Sequence, residues 1–200
     1  MTCVGIGPTE LFKEMEVEMT GLKRFLMTSV VALGMVLGFS ANAQADAPSN
    51  MDEFDARMSK EAKTPEGAAS LWMDGVLLYT SSDSRELGRK IILAMTDSLP
   101  ADFEKSMAHA TFVNRMKDQP EIMRSYCAGS SPENGYKADI RKCELNIAGS
   151  KASNYEDDVW VIKLQSSGAD STRQIKLIKQ GDIWKVTNYS SIYSGIKPSK

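Results

Sequence analysis

The chain has 200 residues, of which 42% are hydrophobic and 25% charged, and its formal net charge at pH 7 is −2. These values are typical of a globular domain with a sizeable core and exclude wholesale disorder. They also exclude the strongly basic footprint of a dedicated nucleic-acid binder, so we expect no nucleic-acid partner.

The N-terminal region predicts a secretory signal peptide. Lys23 and Arg24 precede an uncharged run over residues 25–39, and the small residues Ala41 and Ala43 follow it. This is the order of a basic region, an apolar region and a small-residue cleavage site, and the apolar run is shorter than the roughly 20 residues of a membrane span. We expect cleavage near Ala43, a periplasmic or secreted location in a Gram-negative type of envelope, and no membrane span in the mature chain. An uncleaved anchor is the alternative.

Residues 1–18 do not fit the signal-peptide pattern, because they are acidic where a secretory leader is usually basic. We interpret residues 1–18 as an over-extended start, with translation beginning at Met19, and residues 19–43 as the signal peptide. Residues 44–63 are predicted to be a polar tether that contains a short helix at most, and residues 64–200 a single domain.

The domain is predicted to begin with a helix at Thr64. Thr64 is a favourable N-cap, Pro65 suits the first helical position, and Glu66 suits the positive end of the helix dipole. The apolar spacing beyond it predicts a buried face that includes Trp72. Residues 83–86 have the arrangement of a capping box and predict a second helix.

Two further helical segments are predicted before the spacing changes. One begins at Pro100 and directs Phe103, Met107 and Ala110 inward, and a short one begins at Pro120.

After Gly135 the apolar period changes from 3.6 to 2, which predicts strands. The strand segments lie at 143–147, 159–164, 175–178 and 184–193, with a tight hairpin at 180–182. We therefore expect an α+β domain in which N-terminal helices pack on one face of a curved antiparallel sheet of about four strands.

Two cysteines, Cys127 and Cys143, lie in the predicted mature chain on either side of a turn-rich segment. An even number of cysteines in an exported chain predicts a disulfide between them. Free buried thiols are the alternative.

Two motifs of the domain resemble the nuclear-transport-factor-two-like, cystatin-like cone superfamily. They are the helix opening Thr64-Pro65-Glu66-Gly67-Ala68-Ala69 and the hairpin Gly181-Asp182-Ile183-Trp184-Lys185-Val186. The resemblance covers roughly residues 64–193 and implies helices packed into a curved sheet. Because that superfamily contains both enzymes and binding modules, the resemblance does not assign a function.

Six aromatic residues are the candidate ligand-pocket residues of the predicted helix–sheet interface. They either line a pocket or fill the core: Trp72, Tyr79, Trp160, Trp184, Tyr189 and Tyr193. We expect Trp184 in particular to pack against the first helix of the domain, near Trp72 and Val76.

Catalytic and metal-binding patterns are weak. His109 is the single histidine, which excludes a multi-histidine metal site, and its helical setting favours a surface or packing role. The acidic cluster 156–158 is interpreted as a solvated turn in preference to a cation site. We predict no catalytic residues, no metal and no cofactor.

The sequence as a whole favours an exported, soluble, non-catalytic domain that binds a small ligand, an envelope component or a protein partner. The alternative is a small cone-fold enzyme of the isomerase or dehydratase type that uses a buried Asp, such as Asp74, together with Tyr.

Overall fold

The computed structural model describes residues 45–200, so the predicted start, signal peptide and cleavage site lie outside the described residues. The described part has helices first and strands afterwards, and the α+β class is confirmed. In chain order the elements are α1 (Met51–Glu61), α2 (Pro65–Tyr79), α3 (Arg85–Met95), α4 (Ala110–Asp118), α5 (Glu121–Arg124), β1 (Ile147–Ala152), β2 (Val159–Leu164), β3 (Arg173–Gln180) and β4 (Ile183–Asn188). Among these helices none has the length and apolar character needed to cross a membrane.

Helix α1 belongs to the folded domain, which corrects the prediction of a polar tether over residues 44–63. Asn50 caps the helix by accepting a hydrogen bond from the Glu53 N–H at 2.9 Å, and Phe54 is fully buried in the core. The segment has a polar composition because only one stripe of α1 faces the rest of the domain. Burying one large side chain contributes about 1.5–3 kcal/mol, so Phe54 helps to hold that stripe against the core.

Helix α2 is the central helix of the domain and begins as the sequence predicts. The Thr64 hydroxyl accepts a hydrogen bond from the Gly67 N–H at 3.2 Å, and Pro65 occupies the first turn. Every residue from 71 to 79 is buried. A helix that is apolar on all sides requires partners on all sides, and α2 contacts α1, α3 and strands β2 to β4.

Helix α3 is present as predicted, but its start differs from a capping box. Ser84 precedes the helix, and its hydroxyl donates to the Leu78 carbonyl at 2.8 Å instead of capping α3. Gly88 lets α3 approach α2 closely, because a Cβ there would lie 2.3 Å from the Tyr79 nitrogen. A side chain at this position would therefore push the two helices apart.

The helix predicted from Pro100 is replaced by two 3-10 turns, Phe103–Lys105 and Met107–His109, that lead into α4. Phe103 is buried as expected, but Met107 is 90% exposed, so its predicted inward orientation is wrong. The extended backbone of Ser106 separates the two turns and breaks the helical phase on which the prediction depended. The short helix after Pro120 is confirmed as α5.

The four strands form one antiparallel sheet in the order β1-β2-β3-β4. Strand β2 has the predicted bounds, and the hairpin forms with Gln180 opposite Ile183 and Gly181 at φ 60°. Strand β1 begins only at Ile147, and β4 ends at Asn188 instead of Tyr193. The Cys127–Cys143 disulfide is present and joins the segment after α5 to the chain before β1.

Alternate strand residues divide the sheet into an inner and an outer face. The inner face packs on the helices, and its central residues are fully buried: Ile162, Leu164, Ile175, Leu177 and Val186. No described helix buries the outer face in this way, since its lysines remain partly or fully exposed.

Candidate functional site

The strand register brings three lysines together on the outer face. Lys151 of β1 and Lys176 of β3 lie opposite Val161 of β2 from its two sides. Lys163, two residues further along β2, lies opposite Gln174. Since residues two apart on a strand share a face, these lysines form one cationic surface.

This surface contains a concavity of about 360 Å³ that we call the outer-face cleft. The turn between β1 and β2 forms one wall, and the strands form the floor. Its lining residues are Lys151, Ser153, Asn154, Tyr155, Glu156, Val161, Lys163, Gln174 and Lys176.

Tyr155 is the most prominent side chain of the outer-face cleft, because it is 95% exposed. The turn that carries it is organised by Ser153, whose hydroxyl accepts hydrogen bonds from the N–H groups of Tyr155 and Glu156, each at 3.2 Å. An ordered turn thus presents an exposed aromatic ring beside the cationic floor.

The charges of the cleft do not balance. Lys176 pairs with Glu156 at 2.5 Å, whereas Lys151 and Lys163 form no ion pair with another described residue. The lining therefore has an excess of positive charge. An arrangement of ammonium groups without a full set of internal partners attracts an external anion.

A second concavity of about 520 Å³ adjoins the cleft at Gln174, which lines both. It is rich in hydroxyl groups and is lined by Thr172, Arg173, Gln174, Ser190, Ser191, Ser194 and Gly195. Arg173 connects β3 to the segment after β4, because its guanidinium donates to the carbonyls of Ser194 at 2.8 Å and Gly195 at 2.9 Å. The serine hydroxyls are also bonded within the domain, since Ser191 donates to the Gln174 carbonyl at 2.7 Å and Ser194 to the Ser190 carbonyl at 3.3 Å. What they offer a ligand is therefore chiefly their remaining acceptor lone pairs.

Three of the six aromatic candidates lie together on the helical side of the sheet. Trp72 is fully buried, donates from Nε1 to the Thr96 hydroxyl at 2.8 Å, and has its ring 5.2 Å from the Tyr189 ring. Phe112 lies between the rings of Trp72, Tyr189 and Tyr193, at centroid distances of 6.0, 4.6 and 5.9 Å. Among the candidates Trp72, Tyr189 and Tyr193 of this cluster, Tyr193 also lines a surface concavity of about 220 Å³.

Trp160 and Trp184 form a separate, half-buried pair. Their rings meet edge to face at 5.9 Å, and Trp160 donates to the Ser150 hydroxyl at 2.6 Å. Strand β4, which carries Trp184, contacts α2, but the ring of Trp184 pairs with that of Trp160 and not with that of Trp72. That Trp184 packs near Val76 stays a prediction.

Tyr79, the sixth candidate, is buried against charged groups. Its hydroxyl donates to Glu104, which also accepts from Arg89 at 3.0 Å. The hydrogen bond from Tyr79 lowers the pKa of Glu104, while burial raises the pKa of Tyr79 itself. This phenol is therefore held protonated as a hydrogen-bond donor.

Asp74 is buried in a different cluster from Tyr79. It lies 3.0 Å from Arg57, which also pairs with Glu61 at 2.8 Å. Burial raises the pKa of Asp74 to about 7, and the attraction of Arg57 opposes that rise. The Asp and Tyr of the enzyme alternative thus have separate partners and do not form a common site.

His109 lies on the surface of the aromatic cluster. Its Nδ1 is 3.0 Å from the hydroxyl of Tyr189, whose pKa is raised by burial to about 12. Within residues 45–200 no group of three or more His, Cys, Asp or Glu side chains is placed to hold a metal ion.

The lysines of the outer-face cleft were missed by sequence reasoning. A signal for them exists, since Lys163 and Lys176 alternate with apolar residues in two predicted strands. The strand register that aligns them with Lys151 was the missing information.

One family model matches the chain, over residues 46–200, and its description is Domain of unknown function (DUF6935). No curated protein and no solved structure matches the chain.

Proposed function

We propose a binding function for this chain, which belongs to the DUF6935 family. It is an exported, non-catalytic domain, and it binds an anionic ligand of the cell envelope in the outer-face cleft. The observation that carries the proposal is the cleft itself, in which three lysines and one glutamate line a concavity of about 360 Å³. The excess of ammonium groups supplies the attraction, and Gln174 adds an amide for orientation.

The polar groups of the domain favour binding over catalysis. General acid–base or nucleophilic catalysis needs an ionisable group free to act on a substrate. Asp74 is instead engaged with Arg57, and Tyr79 with Glu104. The raised pKa of Asp74, about 7, is the observation that favours the isomerase or dehydratase alternative. That carboxylate is buried against Arg57, however, and lines none of the three concavities described above.

Binding of dextran sulfate, a general polyanion, to the mature protein tests the proposal. We expect binding that weakens as salt rises, since salt screens exposed charges. The double variant Lys151→Glu/Lys163→Glu should bind at least about tenfold more weakly, because reversing two charges near an anion costs more than about 1.4 kcal/mol.

The matched control is Lys90→Glu/Lys105→Glu, which makes the same change in net charge at exposed positions on the helical side of the molecule. Equal loss of binding in the two double variants would show that only net charge matters and would refute the outer-face site.

The proposal includes export and the cone-like fold. The leader pattern over residues 19–43 and the Cys127–Cys143 disulfide support a periplasmic or secreted location. The order of helices before a four-stranded meander supports the resemblance to the nuclear-transport-factor-two-like superfamily. N-terminal sequencing of protein from the native envelope tests export, with Gln44 as the expected first residue.

A further inference from the structure

We infer that the ligand of the outer-face cleft is an acidic saccharide, with a sugar ring stacked on Tyr155 and its carboxylates paired with the lysines. This inference rests on the proposed function and names its ligand class. It begins from the exposed ring of Tyr155, which is 95% exposed and lines the cleft. An exposed tyrosine presents an apolar ring face together with a hydroxyl group, which suits contact with a ligand that has both apolar and polar surface.

The ring of Tyr155 complements a sugar. The C–H face of a pyranose is flat and apolar, and it packs against the face of an aromatic ring. The Ser153 hydroxyl orders the turn by accepting from the N–H groups of Tyr155 and Glu156. The backbone that carries the ring therefore loses less conformational freedom on binding than a loose loop would.

The other lining residues complement a ligand with many hydroxyl groups and few charges. Asn154 and Gln174 offer both donors and acceptors, and Glu156 offers acceptor oxygens beside the lysines. Glu156 is the carboxylate among the lining residues and is paired with Lys176, so the charges that remain for a ligand are those of Lys151 and Lys163.

The extent of the surface indicates more than one sugar ring. The hydroxyl-rich concavity that shares Gln174 with the cleft continues the surface toward Ser191 and Ser194. A ligand that begins at Tyr155 and continues into the second concavity is an oligosaccharide.

The test compares two probes, an oligogalacturonate and inorganic polyphosphate of equal charge, by titration calorimetry on the mature protein. We expect tighter binding of the oligogalacturonate and weaker binding of the same oligosaccharide after methyl esterification of its carboxyls. Tyr155→Ala should weaken oligogalacturonate binding about tenfold, by analogy with other stacked rings, and leave polyphosphate binding within about twofold. Tyr155→Phe, which keeps the ring, should retain the affinity.

The possible failures are separable. If dextran sulfate and oligogalacturonate bind through Lys151 and Lys163 but Tyr155→Ala has no effect, the saccharide inference is overturned and the proposed function stands. Tighter binding of polyphosphate, or of phosphatidylglycerol vesicles, than of oligogalacturonate overturns the inference in favour of a denser anion or a membrane surface. If no anionic probe binds, both proposals fail. Because Tyr155 is exposed, its variants should fold, and urea unfolding checks that they do.

Discussion

Strand β2 shows the contrast between the two faces of the sheet within two adjacent residues. Ile162 is fully buried against the helical layer, whereas Lys163 lines the outer-face cleft. The inner face consists of closely packed apolar side chains, and the outer face of lysines, an amide and an exposed aromatic ring. The same strands thus carry most of the stability on one side and the binding chemistry on the other.

This separation has a physical consequence for how the protein tolerates change. Burial of apolar surface drives folding, so substitutions on the inner face change the free energy of unfolding. Exposed charges contribute little to stability, so the outer face can be specialised for a ligand at small cost to the fold. The four predictions below test this division, beginning with the largest expected effect.

Replacing Trp72 should have the largest effect. Trp72→Ala removes a fully buried ring that contacts Tyr189 and donates to Thr96, and we expect a loss of about 3–5 kcal/mol in the free energy of unfolding. Trp184→Ala, at a half-buried ring on the same face, should cost about 1–2 kcal/mol. Urea titration of both variants measures the difference, and equal losses would contradict the placement of Trp184.

Removing the disulfide should have the next largest effect. Cys127→Ala/Cys143→Ala opens a loop with a sequence separation of 16, and we expect a loss of about 3 kcal/mol from the greater freedom of the unfolded chain. Urea unfolding of the double variant measures it. Thiol titration of unreduced, denatured wild-type protein is the accompanying check, and two reactive thiols would mean that the bond does not form.

Asp74→Asn tests the ionisation of the buried Asp74 carboxylate, which is paired with Arg57. The pKa of Asp74 is raised from 3.8 to about 7 in the folded state. At a pH between these two values the folded protein therefore holds a proton on Asp74 that the unfolded chain releases. The stability that this group contributes is therefore lost as pH rises toward 7. Since Asn does not titrate, the stability of the variant relative to wild type should increase between about pH 5 and about pH 8.

Urea unfolding at the two pH values measures that change. A relative decrease would show that the attraction of Arg57, 3.0 Å away, outweighs the burial of the carboxylate.

Lys163→Ala should have the smallest effect on stability. Lys163 forms no ion pair with another described residue, so we expect a change of about 0.5 kcal/mol or less. Its neighbour Ile162→Ala should lose about 2–5 kcal/mol. Urea titration of this pair tests the separation of the two faces directly, and a comparable loss in both variants would refute it.

Local patterns were predicted well wherever a few neighbouring residues decide the structure. The Thr64 cap, strand β2 and the turn at Gly181 each depend on side chains within about one turn or one strand, and all three are as expected. The disulfide was also predicted, because only two cysteines remained in the predicted mature chain.

The failures are at places where distant segments meet. Phe54 makes α1 part of the core although its sequence neighbours are polar, and Met107 points outward because the backbone at Ser106 breaks the helical phase. Trp184 pairs with Trp160 across the sheet, a contact that depends on the register of β2, β3 and β4.

The sequence by itself determined the α+β class, the Thr64 cap of α2, the bounds of β2 and the bonded cysteines. Short-range geometry and the apolar period are properties of adjacent residues. Only the tertiary structure decided the outer-face cleft. Lys151, Lys163 and Lys176 lie on three different strands, and shifting the register of one strand by a single residue would move its lysine to the inner face. The register depends on how the whole inner face packs, so the position of the candidate site follows from the core beneath it.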